Sequence, residues 1–235
     1  MLKKQAENAW KKLRTRSELH GFVLIGGSAL ALQINHRESE DLDFAWPHER
    51  LPRLQLEKLR EDLPEIEFQP ETDPVRLREA DDCGLDWEDY TQNLVLEGAR
   101  VQFFAPDRHE RTILANAAGD KIHIATVEQI FAMKALVCAK RSKSRDWFDL
   151  YILMRDHGYT FDQFHQVFID AGDKYSYDVA VLKLCSGRPP TTDEGYHSLA
   201  PNPPSIATMN EFFTERKNAY EVAAAEREAR RKLAE

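Results

Sequence analysis

The run Phe22-Val23-Leu24-Ile25-Gly26-Gly27-Ser28, followed after twelve residues by Asp41-Leu42-Asp43, decides how this chain is read. Its first four residues are apolar and partly β-branched, the pattern of a short buried strand. Ala29-Leu30-Ala31-Leu32-Gln33 is strongly helix-forming, so the glycines fall where a strand turns into a helix. Glycine lets the backbone turn sharply there and approach a ligand closely, and Ser28 adds a hydroxyl. Exposed N–H groups at such a turn suit an anion, typically a phosphate. Asp41 and Asp43 are two apart, which on a strand places both carboxylates on one face. Mg²⁺ uses such oxygens to bridge a protein to substrate phosphates. Each motif alone is most often a plain turn or a solvated strand end. In this order, with strand, helix and second strand implied, they indicate nucleotide chemistry.

The whole chain sets the bounds. With 235 residues it holds one large domain or two small ones and can bury a core. At 42% hydrophobic and 31% charged residues it is an ordinary globular composition. No apolar run approaches the ~20 residues needed to cross a membrane. Met1-Leu2-Lys3-Lys4-Gln5-Ala6-Glu7-Asn8 lacks the apolar core of a secretory signal, so a cytoplasmic protein is expected. Cys83, Cys138 and Cys185 make neither a metal-ligand spacing nor an even disulfide framework. The net charge of −8 argues against broad nonspecific nucleic-acid binding while leaving room for a local basic patch.

Along the chain, residues 1–20 are helix-prone, residues 49–62 look helical, and Glu65-Ile66-Glu67-Phe68 alternates like a strand. Pro70 to Asp89 is acidic and turn-rich, with a short amphipathic piece at 75–80. Leu94-Val95-Leu96 and Arg100-Val101-Gln102-Phe103-Phe104 flank Glu97-Gly98-Ala99, the clearest hairpin. Ile122-His123-Ile124-Ala125 reads as a last short strand. From Thr126 the period becomes helical: Thr126 with Gln129 and Thr160 with Gln163 have the form of capping boxes. Helices are expected to about Lys140, over Asp146–Arg155, over 176–185 and from about Ala207, with a proline-rich linker over Ser186–Pro204. The fold expected is α+β: a mixed-sheet core over 1–120, then an all-helical half over 121–235 that completes the active site.

The helical half has its own polar constellation. Lys134 is embedded among Ile130, Phe131, Met133 and Val137, and either snorkels to solvent or reaches a buried anion. Asp146 and Asp149 lie three apart, on one side of their helix. Lys140, Arg141, Lys143 and Arg145 form a basic turn that is either a solvated connection or a contact for a nucleic-acid backbone.

Taken together, Gly26-Gly27-Ser28-Ala29-Leu30, His36-Arg37-Glu38-Ser39-Glu40-Asp41-Leu42-Asp43-Phe44 and Lys134-Ala135-Leu136…Arg145-Asp146-Trp147-Phe148-Asp149-Leu150 resemble the AbiEii-type nucleotidyltransferases of the DNA polymerase β-like superfamily. That family includes toxins of toxin–antitoxin and phage-defence systems. The resemblance covers Gly21 to Leu153. It implies that Gly27 and Ser28 hold the triphosphate of an NTP, that Asp41 and Asp43 bind Mg²⁺ or Mn²⁺, and that Lys134 contacts the phosphates. Asp146 would be the further acidic residue, a base or metal-positioning group. Arg37 and Arg145 would meet phosphate or pair with these carboxylates, and Asp149 would support packing. It further implies an RNA acceptor, particularly a tRNA 3′ end, and an antitoxin partner. One departure stands out. The superfamily usually places a third carboxylate on a later strand, whereas Arg100-Val101-Gln102-Phe103-Phe104 has none. Either Asp146 supplies the function, or the protein is a weak or inactive nucleotide-binding or regulatory module.

Overall fold

The computed structural model describes residues 1–115 and 121–234. It divides into two units, Met1–Ile130 and Phe131–Glu235. In the first, β1 (Val23–Ile25), β2 (Leu42–Ala45), β3 (Glu67–Gln69), β4 (Thr91–Leu96), β5 (Ala99–Phe104) and β6 (His123–Ile124) form one mixed sheet in the order β3-β4-β5-β2-β1-β6. β1 runs antiparallel to β2 and parallel to β6, while β2 and β5 are parallel. With this sheet and the helices that accompany it in sequence, the chain is an α+β protein.

Alternation sorts the sheet's residues between its faces. Leu24, Phe44 and Phe103 are register neighbours on one face and are fully buried. Phe44 and Phe103 stack at 5.2 Å, a contact that adds about 1 kcal/mol to the burial of the rings. Helix α1 (Lys4–Leu13) lays Ala6, Ala9 and Leu13 inward, with Trp10 6.2 Å from Phe44. The opposite face carries the polar row Asp43, Gln102 and Asn93, aligned across β2, β5 and β4.

Helix α2 (Gly26–Ile34) begins directly at the end of β1 and stops at Asn35, which takes the left-handed conformation with φ 50°. The first unit also holds α3 (Arg53–Asp62), α4 (Pro74–Asp82) and α5 (Arg108–Leu114). The hairpin between β4 and β5 turns on Glu97 and Gly98, with φ 55° and 78°, the pair of positive values that a two-residue I′ turn requires.

The boundary between units falls within α6 (Val127–Lys140), which opens with the expected capping box: Gln129 N–H donates to Thr126 Oγ1 at 3.2 Å, and Thr126 N–H to Gln129 Oε1 at 2.9 Å. The second unit continues with α7 (Ser144–Asp156), α8 (Phe161–Asp170), α9 (Lys174–Ser186) and α10 (Ile206–Ala234). α7 is buried over most of its length, with Trp147, Leu150 and Leu153 fully enclosed. Tyr151 meets Phe212 edge-on at 4.8 Å. The segment read as a linker is folded onto this helix: Tyr196 is fully buried and stacks on Phe148 at 5.0 Å. Asp193 accepts hydrogen bonds from the Ser144 hydroxyl and, at 3.4 Å, from the Ser144 amide. Among the described residues, no helix is long and apolar enough to cross a membrane.

Candidate functional site

In the sheet unit the glycine turn and the aspartates come together. Gly26 has φ +70°, a conformation open to glycine but strained for other residues. A Cβ there would stand 2.9 Å from Asp43 Oδ2, so the missing side chain leaves the space the carboxylate occupies. Ile25 and Asp43 are register partners, which is how the strand end and the second aspartate meet. Asp41 lies just ahead of β2 rather than within it.

Ser28 is turned inward and is 1% exposed. Its hydroxyl donates to the Asp41 carbonyl and lies 2.9 Å from Ser39 Oγ. It therefore ties the start of α2 to the Asp41 segment, and its backbone N–H is the part left for an anion at the helix start. Ser39 lies inside the His36–Phe44 motif of the sequence reading, which gave it no role of its own. It is placed by pairing with the first residues of the chain, where Lys3 N–H donates to the Ser39 carbonyl at 2.8 Å and Ser39 N–H to the Met1 carbonyl at 3.0 Å.

The two aspartates offer hard oxygen donors. Among the described residues no group of three or more His, Cys, Asp and Glu is arranged as a metal cage. Two carboxylates suit Mg²⁺ nevertheless, because it usually keeps waters and substrate phosphates as its remaining ligands. On the neighbouring strand the register partner of Asp43 is Gln102, whose amide donates to Asn93 Oδ1 at 3.0 Å.

In the helical unit the question over Lys134 is resolved toward buried anions, and they are the chain's own. Its Nζ lies 2.5 Å from Asp146 Oδ1 and 3.0 Å from Asp149 Oδ2, and all three residues are buried. Arg141 Nε approaches the second oxygen of Asp146 at 2.8 Å. Burial by itself would push the Asp146 carboxyl up, but the Lys134 and Arg141 charges overcome it and hold the group below the usual carboxylate range. Arg145 is engaged by the 193–195 loop, with Nε donating to the Gly195 carbonyl at 2.9 Å and Nη2 2.8 Å from Glu194. Lys140 and Lys143 are exposed.

A family model described as "Nucleotidyl transferase AbiEii toxin, Type IV TA system" matches residues 10–227. An uncharacterized protein of Aquifex aeolicus is 28% identical over 162 residues, 67% of this chain and 69% of that one. A solved chain described provisionally as a nucleotidyltransferase of H. pylori superposes with a TM-score of 0.45 at 19% identity, over 94% of this chain and 98% of that one. The nucleotidyltransferase toxin MenT4 of Mycobacterium tuberculosis gives a TM-score of 0.44 at 15% identity, over 87% and 79%.

Proposed function

The chain belongs to the AbiEii nucleotidyltransferase toxin family, and from that premise we propose that it moves a nucleotidyl group from an NTP to an acceptor hydroxyl, with Asp41 and Asp43 holding Mg²⁺ or Mn²⁺. The observation that carries this reading is the Asp43 carboxylate seated against the Gly26 turn, which sets an acid beside a helix start. When bound, the cation would offset charge on the α-phosphate and the departing pyrophosphate.

The protein's own part is positioning. Backbone amides from Gly27 and Ser28 fix the triphosphate, so the acceptor hydroxyl oxygen meets the α-phosphorus in line as the bond to pyrophosphate breaks, and the hydroxyl proton passes to solvent water. Asp146 is held ionised by Lys134 and Arg141. A carboxylate with so low a proton affinity is a weak base at neutral pH and serves better to orient Lys134. We further propose RNA as the acceptor class, supported by the exposed Lys140 and Lys143 beside Arg141, and a cognate antitoxin as partner, in keeping with the family's toxin–antitoxin description.

The test is incubation with each labelled NTP, Mg²⁺ and total RNA, in parallel with Asp41→Ala. Labelled RNA from the wild type alone supports the proposal, and transfer that survives Asp41→Ala overturns its mechanism. Gln102 beside Asp43 favours a second reading, a nucleotide-binding module without turnover. NTP binding with no labelled product in either Mg²⁺ or Mn²⁺ would establish that one instead.

A further inference from the structure

Gly27 sits inside α2, and unlike Gly26 it has no positive φ to explain it. At a helical position alanine is the better helix former, so backbone conformation gives no reason for glycine. The reason lies in Arg37. A Cβ on Gly27 would stand 2.5 Å from Arg37 Nη2, 3.2 Å from its Cζ and 3.3 Å from Ser39 Oγ. Arg37 is 6% exposed, and its Nη1 donates to the Glu38 carbonyl at 2.9 Å. A guanidinium is thus packed against the second residue of a helix, one position before Ser28, whose hydroxyl grips the Asp41 carbonyl.

This is an unusual place for a cation. The first turn of a helix is its positive end, so a buried guanidinium there works against the dipole. Arginine is permanently charged, and its planar fork holds several acceptors in a fixed arrangement. Arg37 and Ser39 come from one loop and Gly27 and Ser28 from the helix start. Together they bind the two motifs that the nucleotidyltransferase reading needs in register.

We propose that Arg37 is a positioning residue of the nucleotide site and that Gly27 is glycine to admit its guanidinium. The proposal rests on the reading above. It implies that Gly27→Ala acts by displacing Arg37, so the two substitutions are one lesion made from opposite sides.

The experiment is a double-mutant cycle of wild type, Gly27→Ala, Arg37→Ala and the double variant, with Arg37→Lys alongside. Each is measured for thermal midpoint and for the Kd of a fluorescent NTP analogue with Mg²⁺. Each single variant should weaken binding about tenfold, and the double variant no further, because the interaction is already gone. Ala at position 27 should lower the midpoint when Arg37 is present and raise it when Arg37 is absent. Arg37→Lys should not restore affinity, since a single ammonium cannot reproduce the fork. Thr160→Ala, at the cap of α8 in the other unit, should lower the midpoint and leave NTP affinity unchanged, which separates positioning from general destabilisation.

Additive losses, full recovery with Lys, or an unchanged Kd in Arg37→Ala overturn the role of Arg37 alone, provided the wild type binds NTP. A wild type that binds no NTP overturns both this role and the nucleotidyltransferase reading. If Arg37→Ala does not fold, Gly27→Ala compared with Arg37→Lys decides the matter, since both keep a cation in the chain.

Discussion

Asp43 and Gln102 stand side by side as register partners of the parallel strands β2 and β5, so the position next to the aspartate carries an amide. The amide is spent on Asn93. Gln102→Ala should therefore cost about 1 kcal/mol for the lost hydrogen bond and leave nucleotide transfer within a few-fold of the wild type. Gln102→Glu should do the reverse. A third carboxylate beside Asp43 adds like-charge repulsion that a divalent cation relieves. Its thermal midpoint should fall in EDTA and rise with Mg²⁺ more than that of the wild type. Saturation at 100 times the dissociation constant would contribute about 2.7 kcal/mol. Equal Mg²⁺ responses in the two proteins would remove Asp43 from the metal site.

Gly26 tests the turn itself. Alanine would have to adopt φ +70° and place its Cβ 2.9 Å from Asp43 Oδ2. The backbone term alone costs about 1–2 kcal/mol, and the displaced carboxylate should reduce transfer by roughly tenfold or more, equivalent to about 1.4 kcal/mol in the barrier. Urea unfolding and initial rates measured on the same preparation check both numbers.

Lys134 sits between Asp146 and Asp149 with all three buried, an arrangement that tolerates the loss of no single member. Lys134→Met should destabilise the helical unit by about 3–5 kcal/mol, because two carboxylates lose their shared cation. Replacing the ions together, as in Lys134→Met with Asp146→Leu and Asp149→Leu, should recover part of that loss in urea unfolding. A single variant as stable as the wild type would mean the network is not closed in solution.

The same network sets an acid limit. Asp146 is held below its ordinary value of 3.8 by Lys134 and Arg141, against the opposing effect of burial. A carboxyl depressed in the folded state binds its proton more readily when unfolded, so its contribution is fully present above about pH 4. It is lost as pH falls from there through the depressed value. Far-ultraviolet circular dichroism against pH should show wild-type stability falling in that window, with a flatter profile for Asp146→Asn. Identical acid profiles would contradict the assignment.

What the sequence made legible was local. The Glu97-Gly98 turn, the boxes at Thr126 and Thr160, and the strand–glycine–helix passage at Ile25–Gly26 are all fixed by residues within about four positions of each other. Helix α5 could have been found by the same signal, because Asp107 and Glu110 form a third capping box ahead of it. The order of the sheet could not, since β6 joins the edge beside β1 from nearly 100 residues away in sequence. Nor could the use of Ser186–Pro204. Its prolines and glycines announce a loop, but the packing of Tyr196 on Phe148 and the cap given to Ser144 by Asp193 depend on tertiary placement. The candidate residues of each unit divide in the same way. Asp41, Asp43, Lys134 and Asp146 could be singled out as residues, while the partners of Lys134 and the seat of Arg37 against Gly27 could not.

The cysteines give a reporter for the helical unit. Cys138 is fully buried on α6, and its thiol is pushed up to about 12, first by burial and then by the nearby charge of Asp146. Cys185 is half-buried and also raised by burial, whereas Cys83 is exposed. Because the thiolate is the reactive species, alkylation at pH 8 should modify Cys83 first and Cys185 slowly. Cys138 should react only when the unit opens, at a rate set by the opening equilibrium. Lys134→Met should therefore accelerate labelling of Cys138 and leave Cys83 unchanged, because Cys138 lies one helical turn beyond Lys134 and shares its surroundings. Mass spectrometry of timed samples resolves the three sites. Native-state labelling of Cys138 as fast as Cys83 would show that α6 is not packed as described.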